Sequence, residues 1–316
     1  MTHATERPTR VAAIDIGTNS VLLLVAERGP DGVLRPVVER ATITRLGQGV
    51  DRTKHLAPEA TVRTLACLRA YASESTTLGV TATSVVGTSA MRDATGGDAF
   101  RADAAQILGT EPRVISGDEE ARLTFRGGLS GLASQLTRGP LGVFDIGGGS
   151  TELIAGEGST LSVVASLNVG SVRLTERHFK SDPPTVDELD ACRADIRAAL
   201  EHAPDLRGRR LIGVAGTVTT IGAIARGVVP YDGALVHGMT LTSSDVEETF
   251  ARLARSPRGV RRQTPGLSPE RADVIVAGAM LCAEVLRRQR ASELVVSDRG
   301  VRWGLAEELA PLQPAT

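Results

Sequence analysis

Two short segments of this chain place the same chemistry in the same order: Asp15-Ile16-Gly17-Thr18-Asn19-Ser20 and Asp145-Ile146-Gly147-Gly148-Gly149-Ser150. Each opens with an aspartate that ends an apolar run and continues into glycines and hydroxyls. Backbone N–H groups unobstructed by side chains can wrap the oxygens of a phosphate. An aspartate at the mouth of such a turn can hold Mg2+ or another divalent cation, directly or through water, and so offset the phosphate charge. The second loop runs on into Thr151-Glu152, and Glu152 supplies another carboxylate beside Asp145. Asp145 and Glu152 are therefore the expected metal ligands. The counterpart of Glu152 in the first copy is Leu22, so this extra acid belongs to the second copy alone.

One glycine-rich turn is weak evidence, because such turns also close ordinary hairpins. Two copies in matching surroundings are stronger, since facing loops would grip a phosphate chain from both sides. A third cluster, Gly117-Asp118-Glu119-Glu120-Ala121-Arg122-Leu123, lies between them. Acids at the start of a helix often serve only its dipole and its cap. A hydrolase acting on phosphate nevertheless needs a carboxylate that positions or deprotonates water, and this cluster stands where a cleft wall would be.

The elements around these loops repeat as well. Val11–Ile16 and Val21–Val25 read as buried strands joined by a polar turn, and Leu141–Ile146 and Thr151–Ala155 read the same way. Over the fifteen positions from Ala13 to Glu27, six are identical to Val143 through Glu157, 130 residues later. The same strand–turn–strand pattern around both copies favours a duplicated domain. Between and beyond them, strands and helices alternate, which predicts an α/β fold. Val33–Arg40 and Ala41–Leu46 supply a third strand before the Gly47-Gln48-Gly49 loop. Pro58–Tyr71 is read as a helix with Val62, Leu65, Ala66 and Arg69 on one stripe. Ser84–Gly87 and Arg113–Ile115 are short strands, and Ala99–Leu108 is a helix. Thr185-Val186-Asp187-Glu188 forms a capping box ahead of a stripe of Leu189, Cys192, Ile196 and Leu200. Leu211–Ala215 is a strand leading into Gly216-Thr217. Ser268-Pro269-Glu270 opens a helix with serine as cap and proline at its first position. The body of that helix, Ala272–Leu286, is apolar enough for a core. Glu293–Ser297 is the last strand, followed by a short terminal helix.

The 316 residues fit two domains of about 100–200 residues, expected as lobes 1–136 and 137–316, with the terminal helix packing back on the first. Hydrophobic residues make up 41%, charged residues 23%, and the net charge is −1, which gives no general field for nucleic acid or an acidic membrane. Anions must be caught locally. Of the 36 lysines and arginines only Lys54 and Lys180 are lysine, so a bidentate guanidinium is available wherever phosphate must be held. Cys67, Cys192 and Cys282 form no CxxC pair, which argues against a disulfide framework or a thiolate zinc site and for a cytoplasmic protein. Met1–Arg10 lacks the apolar core of a signal peptide. No GK dipeptide occurs, which excludes a Walker A loop.

The loops Asp15–Ser20 and Asp145–Glu152 occur together with Thr88-Ser89-Ala90-Met91-Arg92, Ser116–Ala121, Gly170-Ser171-Val172-Arg173-Leu174-Thr175-Glu176, Gly216-Thr217 and Ser297-Asp298-Arg299-Gly300-Val301-Arg302. In this order they resemble the exopolyphosphatase and guanosine pentaphosphate phosphatase family, from about Val11 to Leu305. The resemblance implies an actin-like fold of two ribonuclease-H-like lobes around a central cleft, and commonly a homodimer. It implies Glu120 as catalytic base, Asp145 and Glu152 as the essential acids of the second loop, and Arg92 as a phosphate contact. The substrate-binding set then comprises Asp15, Gly17, Thr18, Asn19, Ser20, Arg92, Gly147, Gly148, Gly149, Ser150 and Thr151. Arg45, Arg173 and Arg299 are further candidates for phosphate contacts. Leu22 departs from the basic residue found there in several relatives, which removes one such contact. The C-terminal metal-dependent module of longer relatives is not expected, because no histidine here is followed by aspartate.

The reaction so implied is Mg2+-dependent hydrolysis of the terminal phosphoanhydride of inorganic polyphosphate. The nearest rival is removal of the 5′ phosphate of guanosine pentaphosphate, for which one tryptophan, two tyrosines and five phenylalanines offer little stacking surface. More distant rivals are an actin-like ATPase or kinase and a non-catalytic polyphosphate or alarmone sensor. The Glu119-Glu120 pair and the Ser297-Asp298-Arg299 segment favour hydrolysis over the first. Intact Glu120, Asp145 and Glu152 argue against the second.

Overall fold

The structure is a computed structural model that describes residues 9–310. The segments 1–8 and 311–316, including most of the stretch read above for a signal peptide, lie outside the described residues. Two mixed sheets carry the fold. The first joins β1 (Arg10–Ile16), β2 (Ser20–Arg28), β3 (Leu34–Ile43), β4 (Ala82–Gly87) and β5 (Arg113–Val114) in the order β3-β2-β1-β4-β5. The second joins β6 (Pro140–Ile146), β7 (Thr151–Glu157), β8 (Thr160–Leu167), β9 (Arg210–Val214), β10 (Thr240–Thr242) and β11 (Glu293–Val296) in the order β10-β11-β9-β6-β7-β8.

The repeat seen in the sequence is a repeat of register. Asp15 lies opposite Leu22 across the antiparallel β1–β2 pair, and Asp145 lies opposite Glu152 across β6–β7. On the other side, Asp15 pairs with Val86 of parallel β4, and Asp145 with Val214 of parallel β9. Even the irregularities correspond: β2–β3 shifts register between Val25 and Ala26, and β7–β8 between Ala155 and Gly156. The chain is thus a duplicated, two-lobed α/β protein.

Strand alternation then decides where each aspartate looks. On β1, Ala12, Ile14 and Ile16 face one core, while Val11 and Ala13 face a second core shared with Leu123, Val301, Trp303 and Leu305. Asp15 falls in the latter set. On β6, Phe144 and Ile146 face the large core of the second lobe, while Leu141 and Val143 pack on Ala121 and Phe125. Asp145 shares their face. Both aspartates therefore look toward the layer made by helices Gly117–Leu129 and Val301–Leu309. These two helices cross where glycine replaces side chains: a Cβ on Gly304 would collide with the Leu123 backbone, and one on Gly127 with Gly300.

Several elements differ from the sequence reading. Helix Pro58–Thr77 does not bury the stripe through Val62. That valine is 66% exposed, and Ala66 and Arg69 face solvent as well. The buried face is Ala60, Thr64, Leu65, Cys67, Leu68 and Tyr71, with Thr64 made compatible by donating its hydroxyl to the Ala60 carbonyl at 2.8 Å. The segment after Ser268 is only a single 3-10 turn, Pro269–Arg271. The Ser268 hydroxyl bonds the Glu270 carboxylate instead of capping the backbone, and the buried helix is Ile275–Gln289. β9 ends at Val214, and Ala215 starts the next helix with φ at 68°. β8 was not expected at all, nor was β10. The capping box at Thr185 and Glu188 is present. Among the described residues no helix is long and apolar enough to cross a membrane.

Candidate active site

Each glycine-rich turn follows a strand that ends in its aspartate and is closed by its own backbone, with Gly17 N donating to Ser20 O at 2.9 Å and Gly147 N to Ser150 O at 3.1 Å. The remaining peptide groups are oriented from behind. In the second loop the carbonyl of Gly147 accepts from Ser171 N, and that of Gly148 from Val172 N and Arg173 N. The carbonyl of Gly149 accepts from Arg173 Nε at 2.7 Å. A trans peptide holds its C=O and N–H on opposite sides, so fixing these carbonyls rearward turns the intervening N–H groups forward. Gly148, Gly149 and Ser150 accordingly donate to no acceptor within the described residues. In the first loop Gly47 N holds the Thr18 carbonyl at 2.8 Å, and Thr44 N and Arg45 N hold that of Asn19. The Thr18 hydroxyl and both polar atoms of the Asn19 amide are buried without partners.

The loops meet each other. A Cβ added to Gly148 would lie 3.0 Å from Thr18 Cβ and 3.2 Å from Asn19 N, and one on Gly149 would strike the Ser89 hydroxyl. Glycine is required here for close approach of two backbones, whereas the φ angles make no demand. In front of the loops opens a cleft of about 1270 Å³ whose wall includes Asp15, Asn19, Glu120, Asp145, Gly148 and Ser150. Gly17, Thr18, Ser20, Gly147 and Gly149 belong to the same wall. Thr151 does not: it is fully buried, and its hydroxyl donates to Val169 O at 2.7 Å.

Four carboxylates converge beneath the loops. Asp15 and Asp145 are each 8% exposed, Glu120 7% and Glu152 1%. Glu152 reaches this position because the register places it directly across from Asp145 on the same sheet face. Glu120 arrives from the first turn of helix Gly117–Leu129, whose Ser116 hydroxyl caps Glu119 N at 3.2 Å. Helical spacing turns Glu120 inward with Leu123 and Thr124, while Asp118 is exposed and Glu119 meets Arg113 at 2.7 Å. Burial pushes the Asp15 carboxyl up to about 8, with repulsion from Glu120 and Asp145 adding to it and Arg302 opposing. Burial and the Glu120 charge push Asp145 up to about 7, against a 3.4 Å bond from the Thr124 hydroxyl. Glu152 lies well above its ordinary value, first through burial and then through Glu120 and Asp145. Burial also raises Glu120, and Arg92 pulls it back.

The arginines take other places than expected. Arg92 stands outside the cleft wall and donates from Nη1 to Glu120 Oε2 at 2.6 Å and to Ile115 O at 3.0 Å. Arg45 bonds Asp273, and Arg173 lies behind the second loop. Arg299 does line the cleft, stacked over Trp303 with its guanidinium carbon 3.6 Å from the ring centre. Sequence reasoning missed several wall residues, Tyr231 and Arg271 among them. It also missed Ser166 of β8, whose hydroxyl donates to Glu152 Oε1 at 2.7 Å. A third strand in the second copy was the available signal for Ser166, since the first copy has one; no local pattern marks the other two.

The donor set bears on a metal. Among the described residues no group of three or more His, Cys, Asp or Glu is arranged to enclose an ion. Asp15 Oδ1 and Glu152 Oε2 are nevertheless buried without any hydrogen-bond partner. Hard, crowded and partly unpaired oxygens fit a divalent cation of the Mg2+ type, which takes one or two carboxylates and completes its shell with water and phosphate.

Comparison with known proteins places this architecture. Residues 24–312 match the model of the Ppx/GppA phosphatase family. The chain is 41% identical over 318 residues to Exopolyphosphatase 2 of Mycobacterium tuberculosis, covering 96% of this chain and 99% of that one. It is 30% identical over 314 residues to a guanosine-5′-triphosphate,3′-diphosphate pyrophosphatase of Vibrio atlanticus, covering 96% of this chain and 60% of the relative. The crystal structure of an Aquifex aeolicus Ppx/GppA family member superposes with a TM-score of 0.80 at 33% identity, covering 96% and 98% of the two chains. An exopolyphosphatase-like protein superposes with a TM-score of 0.91 at 35% identity and the same coverage. This chain belongs to the Ppx/GppA phosphatase family.

Proposed function

We propose that the protein is an exopolyphosphatase, which hydrolyses the terminal phosphoanhydride of inorganic polyphosphate and releases orthophosphate. The observation that carries this reading is Glu120, a buried carboxylate held by Arg92 at the floor of a cleft lined by two loops, the second with free, forward-facing amides. The name of the Mycobacterium tuberculosis relative supports the same substrate.

The amides of Gly148, Gly149 and Ser150 and the Asn19 side chain grip oxygens of the terminal phosphoryl group. Their fixed dipoles stabilise the charge that spreads over it in the transition state. Glu120 orients a water molecule in line with the bridging oxygen and takes its proton. The water oxygen bonds to phosphorus as the bridging P–O bond breaks, and the shortened chain leaves with that electron pair. Asp145 and Glu152 are the residues that would hold a divalent cation. When bound, the cation neutralises phosphoryl charge. The three cysteines are buried free thiols, which fits the reducing cytoplasm as the compartment.

A second reading, hydrolysis of guanosine pentaphosphate, is favoured by one observation: Tyr231 stands half-exposed in the cleft wall, where a base could stack. Phosphate release from short polyphosphate, guanosine pentaphosphate and ATP, measured side by side with Mg2+, separates the readings. The proposal expects the highest kcat/KM on polyphosphate. A higher value on guanosine pentaphosphate would transfer the assignment to the second reading, and one on ATP would exclude both.

A further inference from the structure

The sequence reading offered Arg173 as a phosphate contact, but its surroundings give it different work. Its side chain is almost fully buried, 7% exposed, on helix Ser171–His178 behind the second loop. Nε donates to the Gly149 carbonyl at 2.7 Å. Nη1 is bonded to Asp51, and Nη2 to Asp93. A guanidinium that bonds from all three nitrogens, is faced by two carboxylates and stands outside the cleft wall is directed away from a substrate.

Its partners belong to both lobes. Gly149 is the loop residue whose carbonyl must be drawn rearward for Ser150 N–H to face the cleft. Asp51 lies on the short helix Val50–Thr53, directly after the segment in which Thr44, Arg45 and Gly47 hold the carbonyls of the first loop. Asp93 ends helix Ser89–Asp93, whose Ser89 lines the cleft and touches the Gly149 backbone. Neighbouring residues repeat the link: Glu176 accepts twice from Gly49 N, at 3.0 and 3.1 Å, and Arg177 Nη2 reaches Asp51 at 3.1 Å.

We propose that Arg173 is a positioning residue for hydrolysis: one guanidinium sets the Gly149–Ser150 peptide and fastens it to the two first-lobe segments that support the other loop. The two loops then present their amides as a single preorganised cradle, and the register between them depends on this side chain. The proposal rests on reading the loops as the phosphate cradle. Lysine cannot replace it, since a single ammonium does not reproduce a planar fork aimed at three acceptors.

The test compares wild type, Arg173→Lys and the double variant Asp51→Asn/Asp93→Asn, which keeps the Gly149 bond but weakens the anchors. Three quantities are read for each: thermal midpoint, kcat and KM on tripolyphosphate, and calorimetric affinity for tripolyphosphate under chelator. For folded Arg173→Lys we expect kcat to fall about 10²-fold, on the scale of one lost oriented donor, and affinity about tenfold. The double variant should lose about tenfold in kcat, with a smaller change in affinity. A folded Arg173→Lys protein with kcat and affinity within about twofold of wild type overturns the proposal. Should Arg173→Lys fail to fold, the double variant decides in the same way. Absent turnover by wild type would count against the exopolyphosphatase reading, while the binding comparison still decides the role of Arg173.

Discussion

Arg92 Nη1 donates to Glu120 Oε2 at 2.6 Å, joining a side chain of the first lobe to the carboxylate best placed to act on water. Burial favours the protonated form of Glu120, and the adjacent guanidinium favours its charged form. The same nitrogen bonds the Ile115 carbonyl, so Arg92 also fixes where the helix bearing Glu120 begins. In the proposed reaction its part would therefore run through Glu120 and not through the substrate.

Two substitutions follow from that pair. Glu120→Gln keeps the shape and the bond to Arg92 but cannot accept a proton. Its kcat should fall at least about 10²-fold, the usual scale for a general base, while the protein stays folded at the assay temperature. Arg92→Met removes the charge that favours ionised Glu120, so the acidic limb of the kcat/KM profile should move to higher pH. Near-normal turnover by folded Glu120→Gln, or an acidic limb that stays put in Arg92→Met, would remove the pair from this role.

The crowded carboxylates make stability depend on pH and on the cation. The folded values of Asp15, about 8, and Asp145, about 7, lie above the ordinary 3.8. The native state therefore binds more protons than the unfolded chain between pH 4 and 8, and stability must fall as pH rises through that window. In chelator the thermal midpoint should be several degrees lower at pH 8 than at pH 5. Asp145→Asn should flatten this slope, and millimolar Mg2+ should raise the midpoint at pH 8 by binding only the folded form. Differential scanning fluorimetry across buffers reads all three; a midpoint that rises with pH in chelator contradicts the account.

Much of this site was legible because it is built on register. An offset of 130 residues in the sequence is the same offset that separates the paired aspartates, their cross-strand partners and the two strand irregularities. Glu120 was told from Glu119 by the family resemblance alone; the helix phase that turns Glu120 inward and Glu119 toward Arg113 is set by packing. The arginines were not legible. Arg173 and Asp51 are 122 residues apart in the chain, and nothing near Arg173 distinguishes a guanidinium that grips carboxylates from one that grips phosphate. The helix Pro58–Thr77 was misread for a simpler reason: Val62 is apolar but faces solvent, whereas Thr64 is polar but satisfies itself and can be buried.

The crossing of helices Gly117–Leu129 and Val301–Leu309 should be intolerant of any side chain. A methyl at Gly304 has no room beside the Leu123 backbone. Gly304→Ala should cost about 1–3 kcal/mol, as overpacking usually does. Because this helix carries Glu120, the variant should also lose kcat at temperatures where it remains folded. Denaturant unfolding with a matched kcat measurement tests both, and an unchanged midpoint would show that the helices part without cost.

Gly148→Ala probes the contact between the loops themselves. Its methyl would stand 3.0 Å from Thr18 Cβ and 3.2 Å from Asn19 N, so the backbones must separate by a few tenths of an ångström. The core lies elsewhere, and the midpoint should drop by no more than a few degrees. The amides of the two loops, however, would no longer converge on one phosphoryl group, and oriented donors lose effect steeply with misplacement. We expect kcat/KM to fall at least tenfold, mainly through kcat, with tripolyphosphate still bound. A Gly148→Ala protein of normal kcat would mean that the loops act independently and that their contact serves packing alone.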